Sequence, residues 1–265
     1  LGSKSWAKEA IIVILEVKGL KKVYSSRLGS SKVEALKNVN FTVEPGEYVA
    51  IMGESGSGKT TLLNILAALD RPTAGSVVLD GQDLAAVGDA AASAFRREHL
   101  GFVFQEFNLL DTFTLEDNIY LPLVLAGMPY LEMNQRLRTI AGQLGIADLL
   151  KKYPYEVSGG QKQRAAVARA IITQPKLLLA DEPTGALDSH ATDELLRLFG
   201  ELNAQGQTIL MVTHSVKAAS TAGRVLFIKD GEVFHQLYRG EATNEQFYQK
   251  IAETLTMLTT GGERA

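Results

Sequence analysis

Apolar runs of strand length alternate with segments of helical periodicity over most of the chain. Several of these runs are continuous, which is typical of strands that are buried on both faces of a parallel sheet. The run at 33–43 instead alternates apolar and polar residues, which favours a half-buried strand. Strands are therefore predicted at 11–17, 33–43, 48–52, 76–81, 176–181, 208–214 and 224–236, the last as a hairpin that turns at Asp230 and Gly231.

Helical periodicity dominates residues 89–173 and interrupts the alternation of strands with helices. Thr114, followed three residues later by Asp117, is a helix-start signal, and Pro129 is expected in the first turn of the next helix. Strand and helix alternate again from residue 176, with a helix predicted at 189–205. The pattern predicts an α/β fold with a parallel sheet and an inserted helical subdomain at about 106–173.

The predicted elements divide the chain into three parts. Residues 11–240 are expected to form one domain, and residues 241–265 a helical extension of it. Residues 1–10 are interpreted as a disordered or vector-derived end. The longest apolar runs, at 10–15 and 176–180, are strand-sized, so no membrane-spanning segment is predicted.

Composition and charge exclude several classes of protein. The 265 residues are 46% hydrophobic and 22% charged, which is the range of ordinary globular domains. A formal net charge of −3 argues against nucleic acid as a partner. The chain has no cysteine, so it contains neither a disulfide framework nor a thiolate metal site.

A glycine-rich loop follows the strand predicted at 48–52 and precedes a helical pattern. Its sequence fits G-x-x-x-x-G-K-[ST], in which backbone N–H groups and a helix N-terminus bind phosphate. Lysine then neutralises the β and γ phosphates, and the threonine hydroxyl is a ligand for Mg²⁺. The alternative is a glycine turn that occurs by chance. The predicted phosphate-binding residues are Gly53, Glu54, Ser55, Gly56, Ser57, Gly58, Lys59, Thr60 and Thr61.

Polar residues stand at the ends of two predicted strands, 176–181 and 208–214, and of a further short apolar run at 101–104. The carboxyl edge of a parallel sheet is where such folds bind ligands. Asp181 is a candidate Mg²⁺ ligand, and Glu182 a candidate general base for an attacking water. His214 is a candidate γ-phosphate donor, and Gln105 a candidate contact of Mg²⁺ or the water. Each has a plain alternative: two carboxylates at a strand end, a structural histidine and a boundary glutamine.

A second glycine-rich helix start lies at Ser158, Gly159, Gly160 and Gln161. Serine is a favourable N-cap and the glycines permit close approach, so this helix start is also suited to an anion. One nucleotide site has no evident use for both. Two copies that face each other head to tail would use both, with the second helix start closing over the phosphate bound by the other copy.

Taken in order, these motifs resemble the ATP-binding-cassette (ABC) ATPase family over residues 11–236. The resemblance implies a P-loop core with an N-terminal antiparallel β part, the cofactors ATP and Mg²⁺, and an ATP-bridged homodimer. It implies that Tyr24 stacks on adenine, although an insert follows at 25–35, and that Asp188 communicates across the dimer. Lys59, Gln105, Glu182 and His214 would be catalytic; Thr60, Gln105 and Asp181 would hold the metal. Glu54 and Val157 are mild departures from the family pattern.

The segments at 104–123 and 180–189 resemble the branch that drives permeases with a large extracellular domain. The tail resembles the bacitracin and antimicrobial-peptide resistance group of that branch, although it could simply pack on its own domain. The resemblance implies a peripheral location on the cytoplasmic side of the membrane. An apolar permease contact is expected at Phe107, Leu109, Leu110 and Phe113.

Three alternatives stay open at this point. One is a signalling module that controls a sensor histidine kinase or a cell-wall hydrolase through a permease-like partner. Another is an ATPase for lipoprotein release or macrolide export. The third, a cassette protein of DNA repair or translation, is disfavoured because the chain carries one cassette and no heptad run.

Overall fold

The computed structural model describes residues 12–25 and 32–260, except for the side chains at 89, 90 and 258–260. The end predicted at 1–10 and most of the insert after Tyr24 lie outside the described residues. The strands are β1 (Leu15–Ser25), β2 (Lys32–Val43), β3 (Tyr48–Met52), β4 (Ala74–Leu79), β5 (Gln82–Asp83), β6 (Leu100–Val103), β7 (Leu177–Asp181), β8 (Ile209–Val212), β9 (Arg224–Lys229) and β10 (Glu232–Tyr238).

Helices connect most of these strands, and one helix follows the last of them. They are α1 (Lys59–Leu66), α2 (Asp89–His99), α3 (Leu115–Leu125), α4 (Tyr130–Gln143), α5 (Gly159–Ile171), α6 (Ser189–Ala204), α7 (Val216–Ala219) and α8 (Asn244–Thr260). None of the helices in the described part of the chain is long and apolar enough to cross a membrane.

Two sheets share the core of the described chain. The larger has the order β10-β9-β3-β8-β7-β6 and is parallel from β9 to β6, with β10 added as an antiparallel edge strand. The smaller, β2-β1-β4-β5, is antiparallel. The α/β fold class is thereby confirmed.

The central strand β3 is buried along its whole length because both of its faces are covered. Val49 and Ile51 pack into the core beneath the antiparallel sheet. Tyr48, Ala50 and Met52 point to the opposite face, where α3, α4 and α6 pack. The alternation of side chains along one strand thus divides the interior into two apolar clusters.

Several element boundaries differ from the predictions. The first strand begins at Leu15 rather than residue 11, because ladder pairing to β2 and β4 starts there and Ile12 is largely exposed. Helix α4 begins at Tyr130, so Pro129 is its N-cap with an extended ψ of 140°. Residues 104–114 are not helical. The capping box of Thr114 and Asp117 is confirmed, and so is the hairpin turn at Asp230 and Gly231, where both φ values are positive.

The C-terminal helix α8 packs against its own domain. Phe247 and Ile251 are fully buried in the cluster that also contains Ala218 and Ala219 of α7. Leu255, one turn later, is partly buried against the same cluster. This arrangement supports the simpler interpretation of the tail, in which its apolar side completes the core.

Replacing Phe247 with alanine should therefore destabilise the whole domain. Removing a buried phenylalanine leaves a cavity and lowers the free energy of unfolding by about 3–5 kcal/mol. Met257→Ala is the matched control, because Met257 lies on the same helix and is 69% exposed. Thermal or denaturant unfolding measures both variants. A Phe247→Ala variant as stable as Met257→Ala would show that α8 does not pack as described.

Candidate functional site

The loop between β3 and α1 is confined by backbone on two sides. A Cβ at Gly53 would lie 2.2 Å from the carbonyl oxygen of Ile228 in β9. A Cβ at Gly58 would lie 2.5 Å from the carbonyl oxygen of Ala35, and Gly58 also has a φ of 102°. Only glycine fits these two positions. The loop therefore curls tightly between the hairpin and the antiparallel sheet.

Helix α1 begins directly after this loop, and its N-cap, Gly58, has no side chain to satisfy the first amides. Those N–H groups and the positive end of the helix dipole face whatever occupies the loop. The Lys59 ammonium donates hydrogen bonds of 2.7 Å to the carbonyl oxygens of both Gly53 and Glu54. The loop thus gathers backbone donors and a cation, which suits a polyphosphate.

Two carboxylates stand at the end of β7, beside Lys59. Burial raises the pKa of Asp181, the charge of Glu182 raises it further, and Lys59 opposes both effects. Burial also lowers the pKa of Lys59, while Glu182 and Asp181 raise it. Half-buried charges of both signs are therefore concentrated at this edge of the sheet. A bound cation would relieve the repulsion between the carboxylates.

Glu182 and His214 contact each other directly. Oε1 of Glu182 lies 2.8 Å from Nδ1 of His214, and the backbone N–H of His214 donates to Oε2 at 3.2 Å. Glu182 adopts a left-handed φ of 44°, which is strained for a residue with a side chain. The sequence placed both residues at the same sheet edge, but their pairing appears only in the tertiary structure.

A single cleft of about 420 Å³ brings ten of the predicted residues together. Five of them are Lys59, Thr60, Asp181, Glu182 and His214, and the other five belong to the glycine loop and the start of α1. The backbone of Gly53, Gly56 and Gly58 also lines it. The hydroxyl of Thr60 and the carboxylate of Asp181 are the hard oxygen donors that Mg²⁺ prefers. Within the described residues no cluster of three acidic or histidine side chains could hold a metal alone. The donor set therefore fits a metal that is held jointly by the protein and by phosphate.

Gln105 lies outside this cleft. Its exposed side chain packs against the backbone of Gly185, where an added Cβ would lie 2.9 Å from the amide. Gly185 belongs to the segment that follows Glu182. Gln105 is therefore placed beside the loop of the candidate base, and its predicted contact with a metal stays a prediction.

Tyr24 lies at the end of β1, 42% exposed. Its hydroxyl donates a 2.8 Å hydrogen bond to Asp70, and the Lys22 ammonium lies 4.8 Å from the ring centroid. Burial and Asp70 raise the pKa of Tyr24, whereas a hydrogen bond with Thr61 lowers it. The hydrogen bond with Thr61 places the Tyr24 hydroxyl next to the start of α1, and the predicted stacking of Tyr24 on adenine stays a prediction.

The second glycine-rich helix start is built as predicted but lies elsewhere. Ser158 caps α5, and Gln161 returns its side chain to the Ser158 N–H at 2.9 Å. A Cβ at Gly160 would lie 2.9 Å from that of Ala191, so α5 approaches the start of α6 closely. That start is capped by Asp188, which accepts from Ala191 at 2.8 Å. Gln161 is thus bonded within its own turn, and its predicted nucleotide contact stays a prediction.

Two polar partners of the site were missed by the sequence analysis. Asp70 bonds Tyr24, and Gln163 donates to backbone carbonyls next to Gln105 and Glu182. Gln163 is fully buried although it stands in a polar stretch. The available signal in the sequence was spacing. Gln163 stands four residues before the apolar Val167, so both lie on the same face of α5, and that face is buried.

Comparison with known proteins agrees with this geometry. Residues 36–185 match the model of the family described as "ABC transporter". The chain is 50% identical to the ABC transporter ATP-binding protein YxdL of Bacillus subtilis, covering 92% of this chain and 94% of that protein. It is 45% identical to the bacitracin export ATP-binding protein BceA of Halalkalibacterium halodurans, covering 93% and 97%.

One solved structure also resembles this chain over most of its length. The dimeric structure of MJ0796, a bacterial ABC transporter cassette, superposes with a TM-score of 0.77 at 38% identity, covering 84% of this chain and 98% of that chain. The same cassette has also been solved in a post-hydrolysis state with ADP and Pi. The matched family model, the relatives matched over nearly their whole length and the cleft described above lead to one conclusion: this chain belongs to the ABC transporter family, as an ATP-binding, ATP-hydrolysing subunit.

Proposed function

We propose that the chain works as an ATP-bridged homodimer that powers an integral-membrane permease in resistance to bacitracin-like peptide antibiotics. The observation that carries the dimer is the separation of its two anion-binding helix starts. The cleft lined by Lys59 and Thr60 contains no residue of Ser158–Gln161. A phosphate bound at the second helix start would therefore come from another copy of the chain. The dimeric MJ0796 structure supports this arrangement.

In the proposed reaction, Glu182 accepts a proton from water as the water oxygen attacks the γ phosphorus. The bond from phosphorus to the β–γ bridging oxygen breaks, and ADP leaves. Lys59 holds the β and γ phosphates, and His214, oriented by Glu182, donates to the γ phosphate. Mg²⁺ would be held by Thr60 and Asp181, with Gln105 approaching it, and would offset charge on the phosphates. Tyr24 would stack on adenine beside Thr61.

The permease contact is proposed at an apolar groove of about 400 Å³ between β6, α3 and α5. Phe102, Pro122 and Leu125 line the groove, and Leu110 and Phe113 are exposed near the start of α3. Leu109 packs against the core, and the Phe107 ring lies against Gly159. Of the four residues at which a permease contact was expected, Leu110 and Phe113 are therefore the ones proposed to touch the permease, together with the groove.

The likeness to BceA supports a bacitracin-type substrate. The likeness to a macrolide export ATP-binding/permease protein supports a permease as the partner of this chain. The macrolide export ATP-binding/permease protein MacB of Hyphomonas neptunium is 42% identical, and the match covers 88% of this chain but 36% of that protein. We propose a separate permease with a large extracellular domain, which would hold this subunit on the cytoplasmic side of the membrane. A sensor histidine kinase is proposed as a further member of the complex.

Copurification from native membranes tests the partner proposal. The tagged chain should retain a permease with a large extracellular domain, and Phe113→Asp should weaken that retention while basal ATPase stays unchanged. Phe234→Asp is the control, because Phe234 is an exposed aromatic on β10, away from the groove. A permease that the Phe113→Asp variant retains as well as the native chain does would contradict the proposed docking surface. A histidine kinase in the eluate would support the signalling partner.

Glu182→Gln tests the base. The variant should bind ATP and accumulate as a dimer, with turnover lowered about 100-fold or more because the amide accepts no proton. Glu201→Gln is the control, since Glu201 forms an exposed ion pair with Arg197 on α6. Phosphate release and size-exclusion chromatography with ATP measure both effects. Native turnover in Glu182→Gln would contradict the assignment of the base.

Ser158→Arg tests the dimer. The arginine should block approach of the second copy, so dimerisation and hydrolysis are lost while the monomer binds ATP with nearly native affinity. Thr114→Arg is the control for loss of a helix cap, which costs about 1 kcal/mol by itself. Weaker ATP binding by the Ser158→Arg monomer would place the second helix start in the cleft of its own copy, contrary to the proposal.

A further inference from the structure

Helix α5 carries a fully buried glutamine that joins two loops of the site. The Nε2 group of Gln163 donates to the carbonyl oxygen of Phe104 at 3.2 Å and to that of Pro183 at 2.7 Å. Phe104 directly precedes Gln105, and Pro183 directly follows Glu182. One side-chain amide thus connects the backbone next to the candidate base with the backbone next to Gln105.

The two loops also touch without the help of Gln163. The Gln105 side chain lies against Gly185, close enough that a Cβ there would lie 2.9 Å from its amide carbon. The far end of the Gln105 loop is held by a second residue of α5. Arg169 donates to the carbonyl oxygens of Phe107 and Asn108, both of which have left-handed φ values. Helix α5 therefore holds the Gln105 loop at both ends, and the Gln163 side chain also bonds the backbone of the Glu182 loop.

The orientation of the Gln163 amide lowers the stability of the fold, because it leaves one buried polar atom unpaired. Its Oε1 atom is buried without a hydrogen-bond partner among the described residues. An unpaired buried carbonyl destabilises a fold unless another gain offsets it. Here the gain is that both NH₂ hydrogens are used on the two site loops. An apolar residue would avoid this cost if α5 needed only to fill the core.

We propose that Gln163 is a positioning residue for hydrolysis, which fixes the Gln105 loop relative to the Glu182 loop. The inference rests on the roles proposed for Gln105 and Glu182. Without the amide, each loop keeps its own fold. Glu182 and Gln105 are then no longer held at the right positions relative to each other, to the water and to the γ phosphate. The chemical step suffers, whereas the glycine loop and Lys59, which hold ATP, are untouched.

Gln163→Met tests the proposal, because methionine matches glutamine in length and donates no hydrogen bond. In the full-length chain kcat should fall about 10-fold, since small misplacements of reacting groups are costly, while KM stays within about 2-fold. The matched control is Gln207→Met. The Nε2 of Gln207 also bridges two carbonyls, of Pro175 at 3.2 Å and of Thr208 at 3.0 Å, away from the cleft.

Several results would overturn the inference. The first is a kcat of Gln163→Met within about 2-fold of native. The second is an equal loss of kcat in Gln207→Met. The third is a loss of kcat in Gln163→Met that is no larger than the loss of folded protein. The concentration of ATP-binding sites, titrated with a fluorescent ATP analogue, corrects for unfolded chain. Gln163→Asn, which stays polar but is one methylene too short to reach both carbonyls, replaces the methionine variant if that variant does not fold.

The failure of this inference is distinguishable from that of the proposed function. Inactive Glu182→Gln together with fully active Gln163→Met would reject the positioning role alone. Native turnover in Glu182→Gln would instead reject the proposed base, and with it the reason for a link to its loop.

Discussion

The parallel pairing of β3, β8 and β7 is the constraint on which the site depends. Val212 pairs with Ile51 on one side and with Asp181 on the other, so all three strands end at one level. The glycine loop, the two carboxylates and His214 follow these strands directly. Because parallel strands must align their carboxyl ends, side chains separated by more than 150 residues share one cleft.

The second constraint is steric. The glycine loop is enclosed by the Ile228 carbonyl on one side and the Ala35 carbonyl on the other. Gly231, in the turn between β9 and β10, approaches β2 so closely that a Cβ at Gly231 would lie 2.9 Å from the Ala35 carbonyl oxygen. The hairpin, the loop and the antiparallel sheet therefore form one tightly packed unit. The small sheet contributes to the site by shaping the loop, in addition to placing Tyr24 beside it.

Helix α5 connects the parallel sheet to the helical subdomain, because it packs on β6 and on α3. Its N-terminus presents Ser158 away from the cleft, its buried side reaches both site loops through Gln163, and its last turn lines the apolar groove through Arg169. Contacts at the proposed dimer face and in the proposed docking groove would thus act on one helix. A rigid helix transmits such displacements because close-packed interiors deform little.

Sequence patterns alone predicted the α/β class, the glycine loop, the capped start of α5 and the strand ends that carry Asp181, Glu182 and His214. These features are local, since periodicity, turn chemistry and capping depend on residues near one another in the chain. The sequence could not determine the contacts between distant segments: the Glu182–His214 pair, the packing of Gln105 on Gly185, the two carbonyl bonds of Gln163, or the burial of Phe247. These contacts become visible in the folded chain alone, because each depends on how separate elements pack and not on the pattern within any one of them.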